Sequence, residues 1–219
     1  MRYGGIVLAA TAVLALAGCT SSVAGTPQAL PIAGTALAVA VDKDKVDKPK
    51  TLTPDEVKNA VPEVGEGAPI VERVLVELKR KTLSLVEVEG KIGGACKDNA
   101  LQLGPNAVTD CTVSYEDLEV PWQVTIGGNY KAGDMFFTYT AKPSRGVLLR
   151  AVVHSKLVSL YGPRNVPLRC DEMPERKLVE QNKDSGVKCQ YLETTREGLA
   201  WRDLPVLVDG GGQVRFRSR

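Results

Sequence analysis

The single histidine of this 219-residue chain, His154, and its five cysteines have the widest chemical reach of any residues in it. A Ser–His–acid triad would have to use His154. No Gly-x-Ser-x-Gly elbow is present to raise a serine above a sheet, and zinc-hydrolase motifs require two or more histidines. His154 follows Val153 on an apolar helical face and reads as an edge residue. Gly210-Gly211-Gly212 has neither a following helix nor a lysine, so it reads as a turn rather than a phosphate cradle. Carboxylates cluster at Glu116, Asp117 and Glu119 and again at Asp171 and Glu172. Paired acids hydrolyse glycosidic bonds only at set separations, and these read as solvated turn and edge residues. No catalytic residue and no cofactor is assigned.

Composition sets the class. The chain is 43% hydrophobic and 25% charged, with 28 basic and 26 acidic side chains, which is an ordinary globular balance. A net charge of +2 gives no field for an extended nucleic-acid surface, so no nucleic-acid partner is expected. Aromatic content of 5% argues against stacking platforms for bases or sugars.

The N-terminus carries an address. Arg2 precedes an apolar run from Ile6 to Leu16 broken only by Thr11, and the run ends in Leu16-Ala17-Gly18-Cys19. This is the order of an export signal, and the run is too short for a membrane-spanning helix, which takes about 20 residues. Leu-Ala-Gly-Cys resembles the lipobox of bacterial lipoproteins at all four positions. That resemblance implies removal of residues 1–18, a diacylglycerol thioether on Cys19, usually with acylation (palmitate) of the new amine, and a protein held to the outer face of the cell membrane. Two or three acyl chains anchor stably where one does not.

Residues 19–67 read as a lipidated N-terminus and flexible tether with a reach of about 40 Å. Pro27, Pro31 and Gly34 interrupt its first part, and the run Asp42 to Lys50 is charged and balanced. The apolar stretch 29–41 is too short to span a bilayer. It is read as a linker rich in Ala and Val, with an isolated strand or a membrane-surface segment as alternatives. Thr53-Pro54-Asp55-Glu56 predicts a short helix near 54–60, with Thr53 as cap and Glu56 completing a capping box.

The remainder reads as two copies of one unit, 68–143 and 144–219. Within Ile70 to Leu85, Val71, Val74, Leu75, Leu78 and Leu85 lie at helical spacing, as do Leu149, Val152, Val153, Leu157 and Leu160 within Val147 to Leu160. A shift of about 75 residues aligns the two segments and then brings Cys96 to Cys170, Cys111 to Cys189 and Trp122 to Trp201. Each copy continues through strand-like runs and glycines to a last strand, and Glu175 to Asn182 has room for a small extra helix. The expected fold class is α+β: two similar units, each a helix packed on a small antiparallel sheet with one disulfide. With Cys19 assigned to lipid, four cysteines remain and allow three pairings. Cys96–Cys111 and Cys170–Cys189 are favoured because each then lies within one copy. Cysteines this far apart without a local histidine do not form a zinc site, so no metal is expected. Trp122 and Trp201 are candidate contact residues if exposed; burial, with each packing its unit's helix on its sheet, is the favoured reading.

The helix, Cys, loop and Cys-Thr-Val strand pattern is carried best by Cys96 to Tyr115 and less well by Cys170 to Leu192. It resembles small disulfide-bonded domains of actinobacterial lipoproteins, which carry no assigned activity. A looser likeness to secreted β-lactamase inhibitor proteins lacks the Gly-Met-Thr lead-in to their helices. The function expected is a non-enzymatic binding or accessory module. Its partners would be the membrane through Cys19 and a protein, wall component or small ligand, with the space between the units as one place to bind it. The alternatives are an envelope hydrolase using acidic residues and a purely structural envelope protein.

Overall fold

The structure is a computed structural model that describes residues 30–217 apart from Met135. The expected signal segment and Cys19 lie outside the described residues. The described residues from Pro31 onward form one compact unit. It is an α+β arrangement of three helices and several sheets, crosslinked by two disulfides.

The described residues begin with two short strands, β1 (Ile32–Ala33) and β2 (Val39–Ala40). Helix α1 (Pro54–Ala60) follows, with the Thr53 hydroxyl accepting from the Glu56 amide and the Glu56 carboxylate accepting from the Thr53 amide. Helix α2 (Ile70–Val86) ends on Glu87 in the left-handed conformation. Its buried face runs through Val71, Val74, Leu78, Thr82 and Val86, which is the period the sequence predicts. Strands β3 (Ala95–Cys96), β4 (Val108–Tyr115), β5 (Leu118–Ile126) and β6 (Tyr139–Pro143) make an antiparallel sheet in that order. In β5, Val120, Trp122, Val124 and Ile126 are buried at alternate positions, so one face of the sheet meets the core.

The second half opens with a difference from expectation. Helical spacing is expected from Val147 onward, yet Gly146–Leu149 is strand β7 and helix α3 covers Arg150–Tyr161. The extra helix expected near 175–182 is instead strand β9 (Arg176–Val179), which pairs with β7. Long-range pairing overrides the local pattern here because β7 is buried on both faces. Val147 and Leu149 belong to the core of the first half, and Leu148 to that of the second. A two-residue period can serve two cores at once, whereas a helical turn would aim these side chains elsewhere.

Strands β8 (Leu168–Cys170), β10 (Asp184–Thr195), β11 (Gly198–Val208) and β12 (Val214–Phe216) build the second sheet. Its path is β1-β11-β10-β8-β2, with β12 also on β11. Without β1 and β2, the order β8-β10-β11-β12 parallels β3-β4-β5-β6.

Residues 31–61, read from sequence as part of a tether, lie along this body. β1 pairs in parallel with β11, β2 pairs antiparallel with β8, and Val41, Val57 and Val61 are buried. Three valines and backbone pairing at both sheet edges outweigh the local Pro and Gly signals.

The halves meet tightly. Gly212, at φ +82°, lies under the last turn of α2, where an added Cβ would come 2.5 Å from the Leu85 carbonyl oxygen. The Gln213 amide donates to Glu87. Gly212→Ala is expected to lower stability by about 2 kcal/mol or more through strain and this clash, read from a urea midpoint. The cavity lined by Val86, Val147 and Val214, where the halves meet, amounts to about 20 Å³.

Candidate functional site

The cysteine pairing is the favoured one, Cys96–Cys111 and Cys170–Cys189. Each bond joins register partners on neighbouring antiparallel strands, β3 with β4 and β8 with β10. Their sulfurs are therefore structural crosslinks.

Trp122 does not serve as a contact residue. It is 2% exposed, sits opposite Cys111 on β4, and its indole N–H donates to the Thr82 hydroxyl at 3.1 Å. The hydroxyl donates in turn to the Leu78 carbonyl at 2.9 Å. This relay fastens α2 to the sheet, as the burial reading expects. Trp201 differs. Cys189 is paired across the ladder with Leu204, which therefore takes the place in the second sheet that Trp122 has in the first. The β10–β11 hairpin is longer beyond its cysteine, which breaks the sequence alignment of the tryptophans. Trp201 pairs with Leu192, is half-buried, and lies beneath Gly34 of the N-terminal segment.

The carboxylates are largely engaged. Asp117 meets Arg176 at 2.7 Å, and Glu116 accepts from the Lys91 amide at 2.8 Å. Asp171 accepts from the Lys188 amide at 2.7 Å. These contacts brace a hairpin turn and a strand edge. Among the described residues, no group of three or more His, Cys, Asp or Glu is placed to hold a metal ion.

Open clefts flank the N-terminal segment at both ends, two larger ones and a smaller one of about 270 Å³ between residues 41–43 and 162–168. One of the larger two, of about 540 Å³, lies between Pro31–Ala33 and the β10–β11 tip with Thr195, Arg196 and Arg202. The other, of about 470 Å³, lies between residues 40–47 and the start of α3. Asp42, Lys45, Asp47, Arg150, His154 and Glu175 line it, so acids, bases and an imidazole face one space. Such a lining suits a small ligand bearing both charges more than a hydrophobic one.

His154 is half-buried, beside buried Val153 on α3. Its Nε2 is buried and has no hydrogen-bond partner among the described residues. Burial, aided by the Arg150 charge, holds its pKa below the ordinary 6.5. The unfolded chain then binds this proton more readily than the native one. Stability contributed by neutral His154 is present above about pH 6.5 and falls as the pH drops below it toward the native pKa. His154→Gln is expected to flatten that decline, measured as urea midpoints between pH 7.5 and 5.

Sequence reasoning missed how the N-terminal segment is held. Gln190, 4% exposed on β10, accepts from the Leu37 amide at 2.9 Å and donates to the Thr35 carbonyl at 3.1 Å. Arg169 on β8 donates to the carbonyls of Leu37 and Ala38. The available signal was the alternation Leu37, Val39, Val41 inside the Ala-rich run. No helix among the described residues is long and apolar enough to cross a membrane. Comparison with known protein families, with curated proteins and with solved structures finds no match for this chain.

Proposed function

We propose that this protein is a lipid-anchored extracytoplasmic lipoprotein whose body is a non-enzymatic binding module. The observation that carries the reading is Leu16-Ala17-Gly18-Cys19 after an export-type apolar run. Two disulfides accord with it, since such bonds persist in oxidising compartments outside the cytoplasm. The non-enzymatic part rests on the lack of a catalytic motif in the sequence and on the bracing roles of Asp117 and Asp171. In this reading the clefts at the ends of the N-terminal segment are where a ligand or partner is met.

The body is further read as an internal duplication. In its favour, each half runs helix, short strand, long hairpin and closing strand, with a disulfide at the same ladder position. The copies are not separable at residue 143, because Val147 and Leu149 complete the first core. A fragment ending at Pro143 is expected to show weak near-ultraviolet dichroism and no cooperative unfolding; cooperative unfolding would make the first unit independent.

Fractionation of cells expressing the protein tests the anchor. The native chain is expected in the membrane fraction with labelled palmitate, and Cys19→Ser in the soluble fraction without label. Crosslinking in cells then tests the binding role, with one dominant saturable partner expected. Turnover of any member of a hydrolase substrate panel would refute the non-enzymatic part.

A further inference from the structure

Residues 31–41 lie on the second sheet as an extended peptide lies on a receptor. The segment pairs in parallel along one edge, Ile32 with Leu199 and Ala33 with Ala200, and the Leu199 amide donates to the Pro31 carbonyl at 3.0 Å. It then crosses from β11 to the opposite edge and pairs antiparallel there, Val39 with Cys170 and Ala40 with Arg169. The Val41 amide donates to the Leu168 carbonyl at 2.9 Å. On the way, the Gln190 amide reads the Thr35 carbonyl and the Leu37 N–H at once, and Arg169 takes the next two carbonyls. Gln190 is itself aimed by Asp203, whose carboxylate accepts from its Nε2 at 2.7 Å.

The side chains contribute in a peptide-like way. Pro31 to Ala36, Ala38 and Ala40 are exposed, while Leu37 and Val39 are half-buried and Val41 is buried. Recognition is thus through the backbone, with alternate apolar side chains at 37, 39 and 41 giving register. This is the logic of strand addition to a sheet. The floor of the groove carries Gln190, Arg169 and Asp203 on three neighbouring strands, with Trp201 beneath Gly34. The three polar groups are readily solvated when uncovered, and the apolar part of the opening cost falls on Trp201, Leu37, Val39 and Val41, whose burial a second copy of the segment would restore. The segment is followed by Asp42–Lys50, an exposed charged stretch apart from half-buried Val46 and Pro49, long enough to act as a hinge.

We propose that this face is a strand-recognition groove, filled in cis by residues 31–41, that takes the same segment of a second copy in trans. The occupant is fixed by what already fits: small side chains at the crossing and apolar ones at 37, 39 and 41. The inference rests on the binding-module reading and deepens it. If the groove fails its test while palmitate still labels Cys19, the groove falls and the anchor stands.

The probe is a fluorescent synthetic peptide of residues 31–41, titrated into the full chain. Leu37→Pro with Val39→Pro weakens the cis segment, since proline removes the Leu37 N–H, without touching the groove. Saturable binding is expected, at least tenfold tighter to this variant than to the native chain. Adding Gln190→Ala is expected to weaken it tenfold or more. Native protein is expected to dimerise with rising concentration in sedimentation, and the proline variant is not. No saturable binding to a folded proline variant would overturn the groove. Binding without native dimerisation would overturn the second copy as its occupant. If the proline pair prevents folding, amide exchange on the native chain decides. Leu37 and Val41 are expected to exchange by local opening, at least tenfold faster than Cys189, and equal rates would overturn the proposal.

Discussion

Trp122→Ala is expected to lower the free energy of unfolding by about 3–5 kcal/mol, the largest single-residue effect in the protein. Trp122 is the biggest side chain in the first core, it is 2% exposed, and its ring fills the space between α2 and the sheet. Its indole N–H has a single partner, the Thr82 hydroxyl, which is itself buried and passes its proton on to Leu78. Thr82→Val therefore strands a buried donor and is expected to cost about 1–3 kcal/mol although it changes little volume. The two changes share one interaction, so their combined cost should fall short of the sum. Urea unfolding of the two single variants and the double variant measures this, and strict additivity would mean that the relay contributes nothing.

Removing the disulfides is the second large effect. Cys96–Cys111 closes a separation of 15 residues and Cys170–Cys189 one of 19. Constraining the unfolded chain over loops of this length is worth about 3 kcal/mol each. Cys170→Ala with Cys189→Ala is expected to cost more than the first pair. Both sulfurs of the second bond are fully buried, and β8, which carries Cys170, also holds β2 and the Arg169 contacts to the N-terminal segment. Loss of that bond should loosen residues 31–41 as well as lower the global midpoint. Amide exchange at Val41 beside a denaturant titration, with and without reductant, reads both. An unchanged midpoint on full reduction would contradict the account of these bonds.

Local chemistry was well expressed in the sequence, and long-range pairing was not. The α1 capping box at Thr53 and Glu56 is a short-range device, and it forms at those residues. The apolar stripe of α2 likewise depends only on its own spacing. Val147 to Leu149 fits a helical stripe equally well, and only pairing with β9, about thirty residues on, makes it a strand. The same pairing turns Arg176–Val179 away from the helix its composition allows. Residues 31–41 have the composition of a linker, and their place is set by Gln190 and Arg169, far along the chain. Trp201 was matched to Trp122 because sequence offsets do not register a lengthened hairpin. The clefts belong to the same class, since His154 and Asp42 come together only when the N-terminal segment is laid down.

One picture accommodates these features. On the proposed reading, a chain tethered at Cys19 would lead within a dozen residues of sequence into a segment that the body grips by its backbone. The body is stiffened by two crosslinks and by β7, which serves both cores. The gripped segment has an open cleft at each end.

The anchor is the claim on which the rest of this functional picture depends, and the mass of the mature N-terminal peptide tests it most directly. Protein purified from membranes of a native-type host is predicted to begin at Cys19, with the added mass of a diacylglyceryl group on its sulfur. A chain that begins elsewhere, or one that carries Cys19 as an unmodified thiol, would contradict it.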